Sequence, residues 1–149
     1  MASDIEIKPV DEALKADWRR LYEGYASFYQ RPMTDRIAET VWGWITDPAH
    51  ELEGVVALRE GRAVGLAHYR RMPSPLRGAD IGFLDDLFVD PAARGGRIGE
   101  HLLAHVAAVA RERGWSVVRW ITADDNYRAR ALYDRVAWKT SWNLYELTP

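Results

Sequence analysis

The chain has 149 residues, 48% of them apolar and 28% charged, with a formal net charge of −2. This predicts one folded domain spanning residues 1–149, with a sizeable core, and excludes a disordered chain and a general nucleic-acid binder, which would be basic. Cysteine is absent, which excludes disulfides, thiolate–zinc centres and a cysteine nucleophile. The first residues lack the apolar stretch of a signal peptide, and no run approaches the roughly 20 apolar residues of a membrane span; a cytoplasmic protein without a membrane partner is expected.

Ile5 and Ile7 alternate with polar residues and predict a short first strand. Asp11 can cap a helix from about Glu12 to Tyr29, whose stripe of Leu14, Trp18, Leu21, Tyr25 and Phe28 has helical spacing. Tyr22, Tyr25, Phe28 and Tyr29 are assigned mainly to the core, with a substrate pocket as the alternative. Arg31-Pro32 breaks this helix, and Thr34 can cap the next, with Ile37, Val41, Trp44 and Ile45 on its apolar face. Residues 53–70 predict a hairpin turning at Glu60-Gly61, followed by a loop, MPSPLRGAD.

The stretch LDDLFVDPAARGGRIGEHLLAHV, from Leu84 to Val106, organises the rest. A strand, Ile81 to Val89, runs through an Arg/Gly loop into an amphipathic helix from about Gly99 to Arg113. A glycine-bearing turn entering a helix N-terminus gathers backbone N–H groups that lack carbonyl partners, which makes an anion site. Arg94 and Arg97 add positive charge, so a bound pyrophosphate is expected. The loop is neither a Walker loop nor GxGxxG. Acidic residues Asp80, Asp85, Asp86 and Asp90 stand just before it, an arrangement suited to a cationic substrate meeting an anionic cofactor. Beyond it, SVVRWIT predicts a central strand, ADDNYRARALYDRVAW a helix, and TSWNLYELT a last strand that could pair across a homodimer. The element order, β-α-α-β-β-β-α-β-α-β, implies a mixed sheet with helices on both faces.

The Arg94–Gly99 loop resembles the coenzyme A loop of the GNAT superfamily of N-acetyltransferases, whose pattern is Q/R-x-x-G-x-G/A. Arg94 takes its first place and Gly99 its last, while Arg97 stands where the middle glycine belongs. About 30 residues on, Asn126, Ala129, Leu132 and Tyr133 match the family's NxxAxxLY helix, and Ala137-Trp138 replaces its Gly-Phe. The ending also resembles the diamine-acetyltransferase-like branch. The resemblance implies an α/β fold, a central mixed sheet of six to seven strands flanked by about four helices. It also implies an enzyme moving acetyl from acetyl-CoA directly to the primary amine of a small, cationic acceptor, polyamine-like or amino-acid-like. The coenzyme would lie against Leu87, Phe88 and Val89, the loop residues Arg94, Gly95, Gly96, Arg97, Ile98, Gly99 and Glu100, and Asn126 and Tyr133.

The chemistry assigns further roles. A lysine-like amine is uncharged in only about one molecule in 2,500 at pH 7, so a carboxylate must take its proton. The resemblance puts Asp85 in that role with Asp86 nearby; as neighbours on a strand they should point to opposite faces. A backbone N–H near Phe88 or Val89 would stabilise the developing oxyanion, and the resemblance makes Tyr133 the proton donor to the departing thiolate. His101 and His105 lack the HExxH order and a third ligand, so no metal is expected, and no serine sits in a nucleophile elbow. The alternatives are a protein-lysine or N-terminal acetyltransferase and a non-catalytic acetyl-CoA sensor.

Overall fold

A computed structural model of the chain describes residues 4–93 and 95–149. Strand β1 (Ile5–Pro9) leads through a 3-10 turn at Glu12–Leu14 into helix α1 (Lys15–Phe28). Asp11 caps the 3-10 turn, accepting from the Leu14 N–H, so the α-helix proper begins a turn later than expected. Helix α2 (Asp35–Ile45) starts at the Thr34 cap, whose Oγ1 accepts from the Ile37 N–H at 3.1 Å. Strands β2 (Leu52–Arg59) and β3 (Arg62–Ser74) form the expected hairpin. Glu60 and Gly61 both have positive φ, the two-residue turn whose twist matches paired strands.

Strand β4 (Ala79–Val89) follows after only four residues, because β3 extends through Met72–Ser74, which the sequence had suggested as loop. A 3-10 turn (Pro91–Ala93) precedes α3 (Ile98–Arg113). Strand β5 is Val118–Arg119, and α4 is Tyr127–Val136. The sheet order is β1-β2-β3-β4-β5, antiparallel except for the parallel β4–β5 pair.

The mixed α/β class holds, but the sheet has five strands rather than six or seven. The strand after α3 is short and lies at the edge, not the centre. The tail expected to form a last strand carries no regular structure. Beside β5 it would find a ladder of two residues, too short to hold a strand, and Trp142, Tyr145 and Leu147 are left 78%, 87% and 91% exposed.

The sheet separates two cores. On one face Trp18 and Leu21 of α1 and Ala38, Val41 and Trp42 of α2 pack on Val56 and Leu66; Trp44 turns outward, contrary to its assigned face. On the other, Ile98, Leu102, Val106 and Ala110 of α3 cover Val55, Ala67, Tyr69 and Leu84. Burying each large aliphatic side chain there contributes about 1.5–3 kcal/mol, which fixes the α3 N-terminus against the end of β4.

Candidate active site

Past Phe83, β4 has no partner on its β5 side among the described residues, because the parallel pairing stops at Gly82–Val118 and Phe83–Arg119. Main-chain groups on that edge, including those along Leu87–Val89, are therefore open to a ligand. The divergence opens a cleft of about 280 Å³. Its floor is Leu87, Phe88 and Val89; one end is Gly95, Arg97, Ile98 and Gly99 at the start of α3; Asn126, Ala129 and Tyr133 of α4 form a side. The two sequence segments singled out above thus meet across one space.

The end of the cleft gathers Gly95, Arg97 and Gly99 at the start of α3. Helix α3 opens there with unbonded N–H groups. A Cβ at Gly99 would stand 3.0 Å from Leu132, so glycine allows α4 to close over the helix start. Arg97, where the GNAT pattern has glycine, is the α3 N-cap and takes the left-handed conformation, φ 55° and ψ 35°. Glu100 faces away from the cleft lining and pairs with Arg135 of α4, tying the two helices together. Gly96 also lies outside the lining, and Arg94 falls outside the described residues.

Asn126 occupies the N-cap position of α4, yet its side chain does not cap; its amide reaches Thr122 Oγ1 at 3.3 Å and lines the cleft. Tyr133 packs edge-on against Trp120, and burial pushes its hydroxyl up to about 12. It therefore keeps its proton at neutral pH. Val136, on the same helical face by spacing, is exposed instead. The fourth wall, Tyr25, Phe28 and Tyr29 of α1, is where the sequence reading erred most. The helical stripe that buries Trp18 and Leu21 runs on over Phe88 of β4, and its last aromatics line the cleft.

The two carboxylates sit behind that wall. Register along β3–β4 runs Tyr69–Leu84 and then His68–Asp86, so Asp85 is the extra residue of a β-bulge. Leu84 and Leu87 accordingly share the α3 face although three residues apart. Asp86 then bonds His68 and Asp85 bonds Arg70, two residues apart on β3 and so on one face. The expectation that Asp85 and Asp86 point to opposite faces fails because the bulge breaks the alternation.

Their environments differ. His68 is fully buried; the indole N–H of Trp18 donates to its Nε2 at 2.9 Å, which leaves Nδ1 to carry the hydrogen and donate to Asp86 Oδ2 at 2.8 Å. Tyr22 donates to the same oxygen at 3.1 Å. Burial alone would raise Asp86, but the bonds from His68 and Tyr22 hold it below the usual range. Asp85 is raised, by burial first, against the opposing bond and charge of Arg70. Neither carboxylate touches the cleft lining itself; Tyr22, which bonds Asp86, stacks on Tyr25, which lines the cleft. Among the described residues no cluster of three or more metal-ligating side chains occurs, and no helix is long and apolar enough to cross a membrane.

Comparison with known proteins agrees with this geometry. Residues 13–138 match the sequence model of the Acetyltransferase (GNAT) family. The chain is similar to the D-amino-acid N-acetyltransferase HPA3 of Saccharomyces cerevisiae, 31% identical over 144 residues, 95% of this chain and 89% of that protein. It is 39% identical over 70 residues to the thialysine N-epsilon-acetyltransferase of Bos taurus, 47% of this chain and 41% of the relative. Its fold resembles the aminoglycoside N-acetyltransferase AAC(6')-Iy in complex with CoA, with a TM-score of 0.84 at 17% identity, covering 100% of this chain and 97% of that one. It also resembles a ribosomal-protein-alanine N-acetyltransferase from Brucella melitensis biovar Abortus 2308, with a TM-score of 0.81 at 22% identity, covering 97% and 99%. A cleft between the start of α3, an open strand edge and a tyrosine-bearing helix, together with a family match over most of the chain, leads to one conclusion: the protein belongs to the GNAT acetyltransferase family and is an acetyl-CoA-dependent N-acetyltransferase.

Proposed function

We propose that residues 1–149 work as one GNAT-like domain that moves the acetyl group of acetyl-CoA directly to a primary amine of a small, cationic acceptor, polyamine-like or amino-acid-like. The observation that carries this is the convergence on one cleft of the α3 N-terminus, the open β4 edge and Tyr133, with an acidic pair behind its aromatic wall. The names of the two curated relatives, which specify a D-amino acid and thialysine, support a small amine acceptor.

The residues present fit the coenzyme. N–H groups at Gly95–Gly99 and the guanidiniums of Arg94 and Arg97 would hold its diphosphate, while the main chain of Leu87–Val89 and the Asn126 amide would hold the pantetheine arm. When bound, the coenzyme supplies a thioester carbonyl for the amine to attack. A main-chain N–H near Phe88 or Val89 stabilises the oxyanion. Tyr133 donates a hydrogen bond to the departing sulfur. A phenol near 12 is a weaker acid than an ordinary thiol, near 8.5, so Tyr133 acts more by donating that bond than by losing its proton outright.

For the base we propose Asp85. Asp86 is engaged by His68 and the Tyr22 hydroxyl and held at low proton affinity, whereas Asp85 has a raised one and a single charged partner, Arg70. Asp86 acts by fixing Tyr22, which stacks on Tyr25, whose ring in the cleft presents an electron-rich surface to a cation. We also propose a homodimer held by the tail, because Trp138, Trp142, Leu144, Tyr145 and Leu147 are exposed in the single chain.

Thiol release from acetyl-CoA, followed across small cationic amines, neutral and anionic amines and lysine peptides, tests the acceptor class. Cationic small amines should turn over fastest, at rates that fall with added salt; turnover confined to peptides or anionic acceptors would overturn it. Asp85→Asn should lose most activity near neutral pH and regain part of it in alkali, where free amine needs no base.

A further inference from the structure

We infer that Arg59, at the end of β2 and outside every sequence motif of the site, is a positioning residue for the coenzyme loop and supplies the positive charge beneath it. The inference rests on the reading that the coenzyme's diphosphate sits on the loop entering α3. Arg59 Nη1 donates to the Ala93 carbonyl at 3.2 Å, holding the residue from which the loop departs. Its Nη2 lies so close to Gly96 that a Cβ there would come within 1.8 Å of it. The glycine at 96 is therefore needed for the tip of the guanidinium to reach the loop, not for its own backbone angle, which is outside the positive-φ set.

Two features mark this as more than packing. The Arg59 Nε is buried without a hydrogen-bond partner, a costly state that structures retain where another interaction compensates. Its bond goes to a carbonyl, and among the described residues no carboxylate pairs with it, so its charge is not cancelled locally. A half-buried cation with no carboxylate partner among the described residues, set against a turn that presents N–H groups, favours an anion on the opposite side of that turn. Arg59 thus holds the loop through Ala93 and Gly96 and biases it electrostatically toward phosphate.

The test is a double-mutant cycle on coenzyme A affinity by titration calorimetry, with the melting temperature of the coenzyme-free protein as a folding control. Arg59→Met should weaken coenzyme A at least fivefold and raise the KM for acetyl-CoA similarly, with kcat at saturating acetyl-CoA within twofold of wild type. Arg59→Lys, which keeps the charge but not the fork, should fall between. Gly96→Ala should weaken binding at least fivefold in the wild-type background but less than twofold in Arg59→Met, because the group it displaces is gone. Unchanged affinity in Arg59→Met, or a Gly96→Ala effect equally large in both backgrounds, would overturn the inference. Gly99→Asp keeps the two levels apart: if it abolishes coenzyme binding while Arg59→Met does nothing, the diphosphate assignment stands and only the Arg59 role fails; if it leaves binding intact, the assignment beneath is wrong. Should Arg59→Met not fold, Arg59→Lys and Gly96→Ala alone still decide the matter, since neither should bind like wild type.

Discussion

Replacing Arg97 by glycine should stabilise the coenzyme-free enzyme and weaken its coenzyme binding at the same time. At φ 55° and ψ 35° the residue has a left-handed backbone, which costs a side-chain-bearing residue about 1–2 kcal/mol. Glycine removes that strain but loses about 0.5–1 kcal/mol more in chain entropy on folding. The net gain is about 0.5–1 kcal/mol, or roughly 1–4 °C in melting temperature for a chain of this size. The guanidinium is exposed beside the loop, so its contribution to holding phosphate, discounted for solvent, is about 1 kcal/mol, roughly fivefold in Kd. Thermal melts of the coenzyme-free protein and calorimetric titration with coenzyme A read the two effects separately. Arg97→Ala is the control: it keeps the Cβ in the left-handed region and should lose affinity without gaining stability. A lower melting temperature for Arg97→Gly, or an equal gain for Arg97→Ala, would refute the reasoning.

Tyr133→Phe should lower kcat tenfold or more while leaving coenzyme A affinity within twofold, since a bond to the departing sulfur acts in the transition state; an equal loss in both would make Tyr133 a binding residue instead. Asp86 has a depressed folded pKa, so the stability it contributes is fully present above its unfolded value of about 3.9 and is lost as pH falls through the folded one. The gap in urea midpoint between wild type and Asp86→Asn should therefore be steady near neutrality and close in acid; a gap unchanged in acid would contradict the network. Gly82→Ala places a Cβ 2.7 Å from the buried Trp115 ring and should cost about 1–3 kcal/mol in urea unfolding, with unchanged stability ruling out that packing.

What could be read from the sequence was what is local in it. The β4–loop–α3 stretch and the Asn126-to-Tyr133 helix are continuous segments whose spacing carries their geometry, and both fall on the cleft. The bulge at Asp85 was not legible, because it arises from pairing with β3 rather than from any signal in Leu84–Leu87. Tyr25 and Phe28 share the period of Trp18 and Leu21, so spacing alone does not separate cleft from core. His68 and Arg59 belong to strands distant in sequence from the residues they touch, Asp86 and Ala93, so spacing gave no hint of either. The tail misled for a different reason: its alternation is that of a strand, but it follows β5, whose ladder is only two residues long, and it carries no regular structure.

The central claim is that acetyl passes in one step between two ligands bound together in the cleft beside Tyr133. Initial rates of thiol release across a grid of acetyl-CoA and small cationic amine concentrations test it most directly. Direct transfer predicts intersecting double-reciprocal lines and negligible thiol release until amine is added. Parallel lines, or thiol release in full without amine, would contradict it.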